Sequence, residues 1–485
     1  MKRFYLVLII IAIAAPTATI ATLLGFSQAQ ASPAYASEPH PDAPYKKPER
    51  AFSSPSANLT QEEQMAFTLG RSLFKKIWVS SPSSTTASDG LGPLYNARSC
   101  LRCHIRNGRG HPIETNNLKN PAGSIIMRLS IPAQTPQQQA MLDAGKIGVI
   151  PEPIYGTQLQ DLSVQGLQAE GRINVRYQEI AVRFPDDTAT VSLRKPEYRV
   201  EQLQYGPLHA ETQLSLRVAP PMIGLGLLAA IKETDIIANE DPDDHNHDGI
   251  SGRTNHVWDI EQQQSVIGRF GWKAGNPTLK QQNNAALHAD MGISSPMFPK
   301  GAGECTTQQI RCQAMPNGNS AHLDNAEASA QIVDWIEFYT RNLAVPAQRN
   351  TTTKTVINGE KLFTQIGCQQ CHTPRYVTTG DAPAAQANQT IWPYTDLLLH
   401  DMGEGLADHR PEFVATGREW RTPPLWGIGL TQAVSQHTQF LHDGRARNLL
   451  EAILWHGGEA EASKRRFMQL TPSNRHHLIT FVESL

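Results

Sequence analysis

The amino-acid sequence predicts a mainly α-helical protein made of two similar halves, with a β-containing insertion in the first half. Apolar residues recur with helical spacing, and Thr60 and Glu63 form a capping pattern at the start of the first such segment. The sequence GRSLF at residues 70–74 returns as GEKLF at residues 359–363, which indicates a duplicated unit. Between about residues 122 and 218, short runs of β-branched and apolar residues predict strands instead.

The domain organisation follows from length and composition. The 485 residues are enough for two to three domains. We predict an N-terminal domain over residues 59–345, which contains the β insertion, and a C-terminal domain over residues 346–485. Residues 32–58 are rich in Pro, Ser and Ala and predict a flexible linker. The formal net charge of -2 gives no reason to expect nucleic acid or an anionic membrane surface as the main partner.

Residues 1–31 predict a secretion signal peptide. Lys2 and Arg3 precede an apolar stretch, and Ala29 and Ala31 form a small-x-small cleavage site. The alternative is an uncleaved anchor, because the apolar region is almost long enough to span a bilayer. We therefore expect an exported, periplasmic protein that meets a membrane only through this segment.

Four of the six cysteines belong to two Cys-x-x-Cys-His motifs, which consist of Cys100, Cys103 and His104, and of Cys368, Cys371 and His372. Two thiols at this spacing can add to the vinyl groups of one haem, and the following His then ligates the iron. Zinc-binding pairs of cysteines lie about 15–20 residues apart, whereas these motifs start 268 residues apart (368 minus 100). A thioredoxin-like redox pair does not need the His. The motifs therefore predict two covalently bound haem c groups in two cytochrome-c-like haem domains.

The remaining cysteines, Cys305 and Cys312, lie seven residues apart in a Gly-rich, polar stretch. In an oxidising compartment they predict a disulfide that ties a surface loop. The alternative is a redox-active pair, although such pairs usually have tighter spacing and a helix start.

The sequence leaves the sixth ligand of each haem iron open. The C-terminal half offers several candidates, namely His400, Met402, His437, His442 and His456. His456 comes late in an amphipathic helix pattern, which places it on or near a buried face. Met402 precedes a Gly-rich turn, so it could be a ligand or part of the core.

Several blocks of the sequence resemble the di-haem oxidoreductase family and, more distantly, the bacterial di-haem cytochrome c peroxidases and their methylamine-utilisation relatives. The resemblance covers nearly all of the chain from about residue 60. The blocks that carry it are RVAPP at residues 217–221, GRFGWKA at 268–274, DMGI at 290–293, LLHDMG at 398–403 and FLHDGR at 440–445.

The resemblance implies roles for single residues. In the relatives, a helix after a His-x-Gly motif supplies the sixth ligand of the C-terminal haem, and His456 occupies that place here, so ligation by both His372 and His456 is implied. Gln282 and Asp290 resemble the Gln and the acid that assist O–O cleavage at the N-terminal haem, except that Asp stands for Glu. Arg217 and Arg421 would bind haem propionates, and Arg217 or Gln282 would stabilise charge.

The acidic segment around residue 246 predicts a calcium site. Asp244, Asn246, Asp248 and then Gly249 fit positions one, three, five and six of a calcium loop, whereas Asn255 stands where an EF-hand has its bidentate Glu. The alternative is a solvated acidic turn. The peroxidase relatives hold calcium between their domains, which favours the calcium interpretation.

These expectations combine into an exported, peroxidase-like oxidoreductase. Electrons would enter at the C-terminal haem, and the oxidant would react at the N-terminal haem. We expect a small redox protein, a cytochrome or a cupredoxin, as the electron partner. The alternative is a pure electron-transfer cytochrome without substrate chemistry, and a third hypothesis places the reaction on a partner protein or polymer that is oxidised at a distance.

Overall fold

The secondary structure of the protein is mixed. The structure, a computed structural model, describes residues 47–113, 124–185 and 190–485. Helix accounts for 32% and strand for 19%, and the strands of the described residues form two-stranded sheets. The expectation of a mainly α protein is therefore corrected, because short strand pairs also occur outside the predicted insertion. The predicted signal peptide, residues 1–31, lies outside the described residues, and none of the described helices is long and apolar enough to cross a membrane.

The α-helices of the described residues vary from one turn to about four. In chain order they are α1 (Gln61–Lys75), α2 (Cys100–Cys103), α3 (Pro136–Asp143), α4 (Leu225–Ala229), α5 (Glu233–Ile237), α6 (Leu279–Met291), α7 (Ile310–Gln313), α8 (Ala330–Arg341), α9 (Lys354–Gln365), α10 (Thr431–Ser435), α11 (Leu449–Trp455), α12 (Glu461–Gln469) and α13 (Pro472–Ser484). Short 3-10 helices occupy Pro48–Ser53, Thr86–Ser88, Ile105–Asn107, Ala321–Leu323, Cys368–Gln370, Ile428–Leu430 and Gly458–Ala460.

The strands pair two by two. They are β1 (Val79–Ser80), β2 (Asp89–Leu91), β3 (Leu94–Tyr95), β4 (Ile125–Ser130), β5 (Leu162–Ser163), β6 (Arg172–Arg183), β7 (Thr190–Glu201), β8 (Gln213–Val218), β9 (His256–Asp259), β10 (Gln264–Ile267), β11 (Tyr376–Val377), β12 (Thr390–Ile391), β13 (Leu399–Asp401) and β14 (Glu419–Arg421). The longest pair is the antiparallel hairpin of β6 and β7.

The repeated sequence before each Cys-x-x-Cys-His motif has a structural cause in the first half. Helix α1 begins at a capping box formed by Thr60 and Glu63, as predicted, and packs against α8. A Cβ on Gly70 would lie 2.1 Å from the carbonyl oxygen of Trp335, so the close crossing of α1 and α8 requires glycine. At the end of α1, the Phe74 ring lies 6.2 Å from the ring of His104.

The second half repeats this arrangement. Helix α9 packs against α13, and a Cβ on Gly359 would lie 2.1 Å from the carbonyl oxygen of His477. The Phe363 ring lies 6.1 Å from the ring of His372. In both halves, glycine sets a helix crossing and phenylalanine fixes the motif His, which explains why these two positions recur.

Strands β4 and β8 form one wall of the interior. They are antiparallel, with Arg128 opposite Ser215 and Ile126 opposite Arg217. Because side chains alternate along a strand, Arg128 and Arg217 share one face, while Met127 and Leu216 on the other face are almost completely buried. The two arginines are thereby directed away from this hydrophobic cluster.

The ordered fold begins before residue 59. The predicted linker 32–58 lies partly outside the described residues, but its described part packs on the core. Ala51 and Phe52 of the first 3-10 helix are buried, and Pro55 pairs with Leu343 in an isolated β-bridge. For residues 47–58 the prediction of a flexible linker is therefore wrong. The composition of this segment indicated flexibility, but two apolar side chains fix it to the core.

Candidate functional site

One continuous cavity connects the two Cys-x-x-Cys-His motifs. Its lining includes Cys100 and His104 at one end and Cys368 and His372 at the other, and apolar surface predominates between them. Residues from both halves of the sequence line it, so the cavity exists only when the halves are packed together. A large, apolar cavity with a few convergent polar groups is typical of a cofactor site.

The four motif cysteines carry free thiols. Burial raises the pKa of Cys100, Cys103 and Cys368 to about 12. Redox-active Cys-x-x-Cys pairs have a lowered thiol pKa, so this environment does not suit a thioredoxin-like pair. Among the described residues, the one cluster of three or more close metal-ligating side chains contains Cys371 alone of the four cysteines, which leaves no shared zinc site.

The motif histidines are both held in the same way. Nδ1 of His104 lies 2.9 Å from the carbonyl oxygen of Pro220, and Nδ1 of His372 lies 2.9 Å from that of Tyr394. Burial lowers the pKa of both rings to about 4, so they are neutral. A neutral ring that donates from Nδ1 has its lone pair on Nε2, which is the state required of a metal ligand.

His456 is a third buried histidine whose Nδ1 is held by a backbone carbonyl oxygen. It caps α11, lines the cavity, and its Nδ1 lies 2.7 Å from the carbonyl oxygen of Ala452. Its charged form would lower the pKa of His372, and both rings line the same cavity. Burial lowers the pKa of His456, so its Nε2 also presents a lone pair.

The other candidate ligands named from the sequence are less suited. Both ring nitrogens of His400 contact carboxylates. His442 stacks on Trp420 with ring centroids 3.8 Å apart. His437 lies in a separate pocket at the surface. Met402 lines the cavity and packs against the hydrophobic cluster of the second half.

Two buried arginines face the cavity without an acidic partner. Among the described residues, no carboxylate lies within 4.0 Å of the Arg109 or Arg421 guanidinium. Burial lowers the pKa of each side chain to about 10, and Nε of Arg109 has no hydrogen-bond partner. Since buried charges are normally paired, the cavity is built for a ligand that brings negative charge.

The comparison with protein families agrees with this geometry. Residues 45–485 match the model of the family described as "Di-haem oxidoreductase, putative peroxidase". The chain belongs to the di-haem oxidoreductase family. No curated protein and no solved structure matches it.

The residues of this di-haem oxidoreductase fit haem. The apolar walls suit a porphyrin, the neutral histidines suit iron, and Arg109 and Arg421 suit propionate carboxylates, which Arg binds through two parallel hydrogen bonds. Arg217 also lines the cavity, but it is already paired with Glu412, at 2.8 Å, and contacts Ser215. The structure therefore ranks Arg109, which the sequence did not single out, ahead of Arg217 as a propionate ligand.

Asp290 and Gln282 lie on one face of α6 but not at one site. They are eight residues apart, which is about 12 Å along a helix. Asp290 accepts a hydrogen bond from Nε2 of Gln158 at 2.9 Å, and its charge raises the thiol pKa of Cys100 and Cys103. Gln282 accepts a hydrogen bond from Asn276 at 3.0 Å. A single small oxidant can therefore contact one of them, not both.

The surroundings of Asp290 were missed by sequence reasoning. Gln158 is completely buried, and Arg128 lines the cavity with its charge acting on Asp290. Burial raises the pKa of Asp290, and the two neighbours oppose this effect. Both neighbours come from the β-rich segment, which only the folded structure brings close to α6. Their local sequence therefore gives no sign that they lie beside Asp290.

The acidic loop of this di-haem oxidoreductase is held by its own side chains. Asp244 accepts from the backbone N–H of Gly249, Asn246 from that of Asp248, and Asp248 from that of Ile250. Asp248 also accepts from Gln370 of the second motif at 2.9 Å. Calcium binding here stays a prediction.

Cys305 and Cys312 are joined by a disulfide, with their Cα atoms 5.9 Å apart. Glu304, next to this disulfide, accepts hydrogen bonds from Thr157. The disulfide loop is thereby tied to the β-rich segment.

Proposed function

We propose that this chain is an exported c-type cytochrome that reduces peroxide or a related oxidant at the His104 end of the cavity and accepts electrons at the His372 end. The observation that carries this proposal is the inequality of the two motif histidines. A second neutral histidine, His456, lines the same cavity as His372 and acts electrostatically on it. For His104, no such partner histidine with a free ring nitrogen is evident among the described lining residues.

Covalent attachment is supported by the thiols. At each end, two free cysteines and one neutral histidine line the same cavity, which is the arrangement that thioether formation and iron ligation need. Once bound, the haem groups supply one-electron redox chemistry. The remaining functions described below belong to the side chains of this chain.

Asp290 supplies the proton at the His104 end. Peroxide reduction consumes protons as well as electrons, and a positioned acid at the leaving oxygen lowers the barrier. Burial raises the pKa of Asp290, which favours the protonated form needed for a donor. Because Oδ1 accepts the hydrogen bond from Gln158, the proton is held at Oδ2.

Arg128 stabilises negative charge beside Asp290. Among the described residues, no carboxylate lies within 4.0 Å of its guanidinium, and the side chain lines the cavity. A cation fixed in a low-dielectric site is effective at stabilising charge that develops on an oxygen. Gln282, which was also expected to stabilise charge, lies about 12 Å from Asp290 along a helix, and its amide oxygen accepts a hydrogen bond from Asn276.

Electron entry at the His372 end is supported by surface access. Gln369 and Gln370, between the two cysteines of the second motif, are exposed, so the edge of this motif reaches the surface. A small cytochrome or cupredoxin could dock there. Export to the periplasm and the two-domain division at residue 345 are part of the proposal. The disulfide between Cys305 and Cys312 supports export, since disulfides persist in oxidising compartments.

The test uses the full chain, produced in a host that attaches haem c and exports the protein. Mass spectrometry should show two covalent haem groups, and electron paramagnetic resonance should show one low-spin centre and one centre that binds cyanide. Reduced small cytochrome c should be oxidised when hydrogen peroxide is added. In His456→Ala, the low-spin signal of the second centre should be lost.

His476→Ala is the matched control, because His476 is exposed on α13 and is not among the residues that line the cavity. It should leave both spectra unchanged. A protein with two low-spin centres that neither binds cyanide nor turns over peroxide would contradict the peroxidase proposal and would favour pure electron transfer.

A further inference from the structure

A buried cluster of one histidine and two carboxylates lies beside the second motif and has no part in the chemistry proposed above. Nε2 of His400 lies 2.8 Å from Oδ2 of Asp396, and Nδ1 lies 2.6 Å from Oε2 of Glu459. The side chains of the three residues are 2%, 1% and 8% exposed, in that order. Solvent therefore does not screen their charges.

The geometry fixes the protonation of the cluster. A neutral imidazole has one N–H and can donate to one carboxylate, whereas His400 contacts a carboxylate with each nitrogen. Burial alone would lower the pKa of His400, but Asp396 raises it well above the ordinary value. One imidazolium and two carboxylates give the cluster a net charge of one negative unit.

The cluster is fixed at the attachment edge of the second motif. Nδ1 of His400 lies 3.7 Å from Sγ of Cys371, and the backbone N–H of Asp396 donates to the carbonyl oxygen of Cys371 at 3.0 Å. Gly252 packs on the imidazole so closely that a Cβ there would lie 2.5 Å from Cε1. Ser251 donates to the far oxygen of Glu459 at 2.9 Å.

A metal site is the competing interpretation, because Cys371, Asp396 and His400 are close enough to share an ion. Both nitrogens of His400 are already used by carboxylates, however, and the Cys371 thiol would be consumed by the thioether bond. The site has no free nitrogen or thiol ligand left for a metal, so its charge is the property that can act.

We propose that Asp396, His400 and Glu459 are positioning residues that hold the reduction potential of the haem at the second motif low. The inference rests on the proposed haem attachment at Cys371. A net negative charge in a buried setting stabilises the oxidised, more positive iron centre relative to the reduced one. A second His ligand from His456 acts in the same direction, so ligand and cluster together keep the potential of this haem low and make its reduced form a strong electron donor toward the His104 end.

The test is a potentiometric titration of the full haem-loaded chain at about pH 6, below the ordinary pKa of His and above those of Asp and Glu. Glu459→Gln removes one negative charge and keeps the shape, while Asp396 still holds the positive charge of His400. It should raise the midpoint of the second haem and leave that of the first unchanged. We expect about a tenfold change in the ratio of oxidised to reduced second haem at fixed potential, which is about 59 mV.

Two further variants serve as a control and as a test of the sign. Glu404→Gln removes the same charge from a nearby but 72% exposed side chain and should not move either midpoint. His400→Gln removes the cation, so the midpoint of the second haem must fall or stay, and a rise would overturn the proposal. An unchanged midpoint in Glu459→Gln, with two haem groups still attached, would overturn it as well.

The failure of this inference can be told apart from failure of the proposed function. If Glu459→Gln does not incorporate haem, His400→Gln still gives the answer. If the wild-type chain carries no covalent haem by mass spectrometry, the attachment proposal itself is wrong. Peroxide turnover does not enter the measurement, so a chain without peroxidase activity still tests the cluster.

Discussion

Lys273 gives a quantitative prediction about stability, because its side chain is completely buried. Its Nζ contacts Oδ1 of Asp408 at 2.9 Å and the carbonyl oxygens of Arg410 and Thr416 at 3.0 and 2.7 Å. Burial lowers the pKa of Lys273 from 10.5 to about 8, although Asp408 opposes this effect. Between those values, the unfolded chain binds a proton that the folded chain does not.

The sign and size of the pH dependence of stability follow from this difference in bound protons. The free energy of unfolding rises with pH wherever the unfolded state binds more protons, so Lys273 makes the folded state more stable as pH increases from about 8 to 10.5. One unit of pKa corresponds to about 1.36 kcal/mol, and the drop from 10.5 to about 8 therefore corresponds to about 3 kcal/mol. Lys273→Met removes the titrating group with little change in volume.

The assay is urea unfolding of the haem-loaded chain at a series of pH values, followed by tryptophan fluorescence. The difference in the free energy of unfolding between wild type and Lys273→Met should change by about 3 kcal/mol across the window, in favour of wild type at high pH. Lys280→Met is the control, since Lys280 is 35% exposed and its pKa is raised by Glu261. The difference in the free energy of unfolding between wild type and Lys280→Met should change little with pH and in the opposite direction. Parallel pH profiles for wild type and Lys273→Met would refute the reasoning.

Three further predictions concern the site. Asp290→Asn keeps an acceptor for Gln158 but removes the proton donor, so peroxide turnover should fall about 10²–10⁴-fold. Because burial disfavours the charged form of Asp290, the free energy of unfolding at neutral pH should not fall. A loss of stability that matches the loss of rate would contradict a catalytic role. Arg421→Gln should lower the free energy of unfolding of the haem-loaded chain by about 1.5–3 kcal/mol, the value of a hydrogen bond to a charged group, and an unchanged denaturation midpoint would exclude propionate binding by Arg421. Addition of calcium at about 100 times its dissociation constant should stabilise wild type by about 2.7 kcal/mol but not Asp244→Asn, as measured by thermal unfolding; equal responses of the two proteins would remove the acidic loop as the calcium site.

The sequence predicted the elements that local patterns determine. The capping box of Thr60 was confirmed, and the repeated glycine and phenylalanine before each motif correspond to one packing arrangement. Family membership was also confirmed. These features depend on residues that are close in sequence or on motifs whose spacing is fixed by chemistry.

The rest depends on contacts between distant segments. Gln158 donates a hydrogen bond to Asp290 although they are 132 residues apart. Arg109 of the first half is buried against Leu441 of the second half, to whose carbonyl oxygen it donates a hydrogen bond. No local periodicity encodes such encounters. The small strand pairs were missed for a similar reason, since pairs such as β13 and β14 join short segments from different loops and carry too few residues for a visible alternation.

The shared cavity has a consequence for how the protein matures. Cys100, Cys103, Cys368 and Cys371 lie inside walls that both halves contribute. If haem is attached as proposed, a group as large as a porphyrin enters walls contributed by both halves while the halves are still apart, so we expect attachment to come before closure. Until then, Arg109 and Arg421 would have no anion to neutralise them if buried, and a chain without haem should stay open. Haem binding would thus be coupled to the last step of folding, and chains without haem would not complete it.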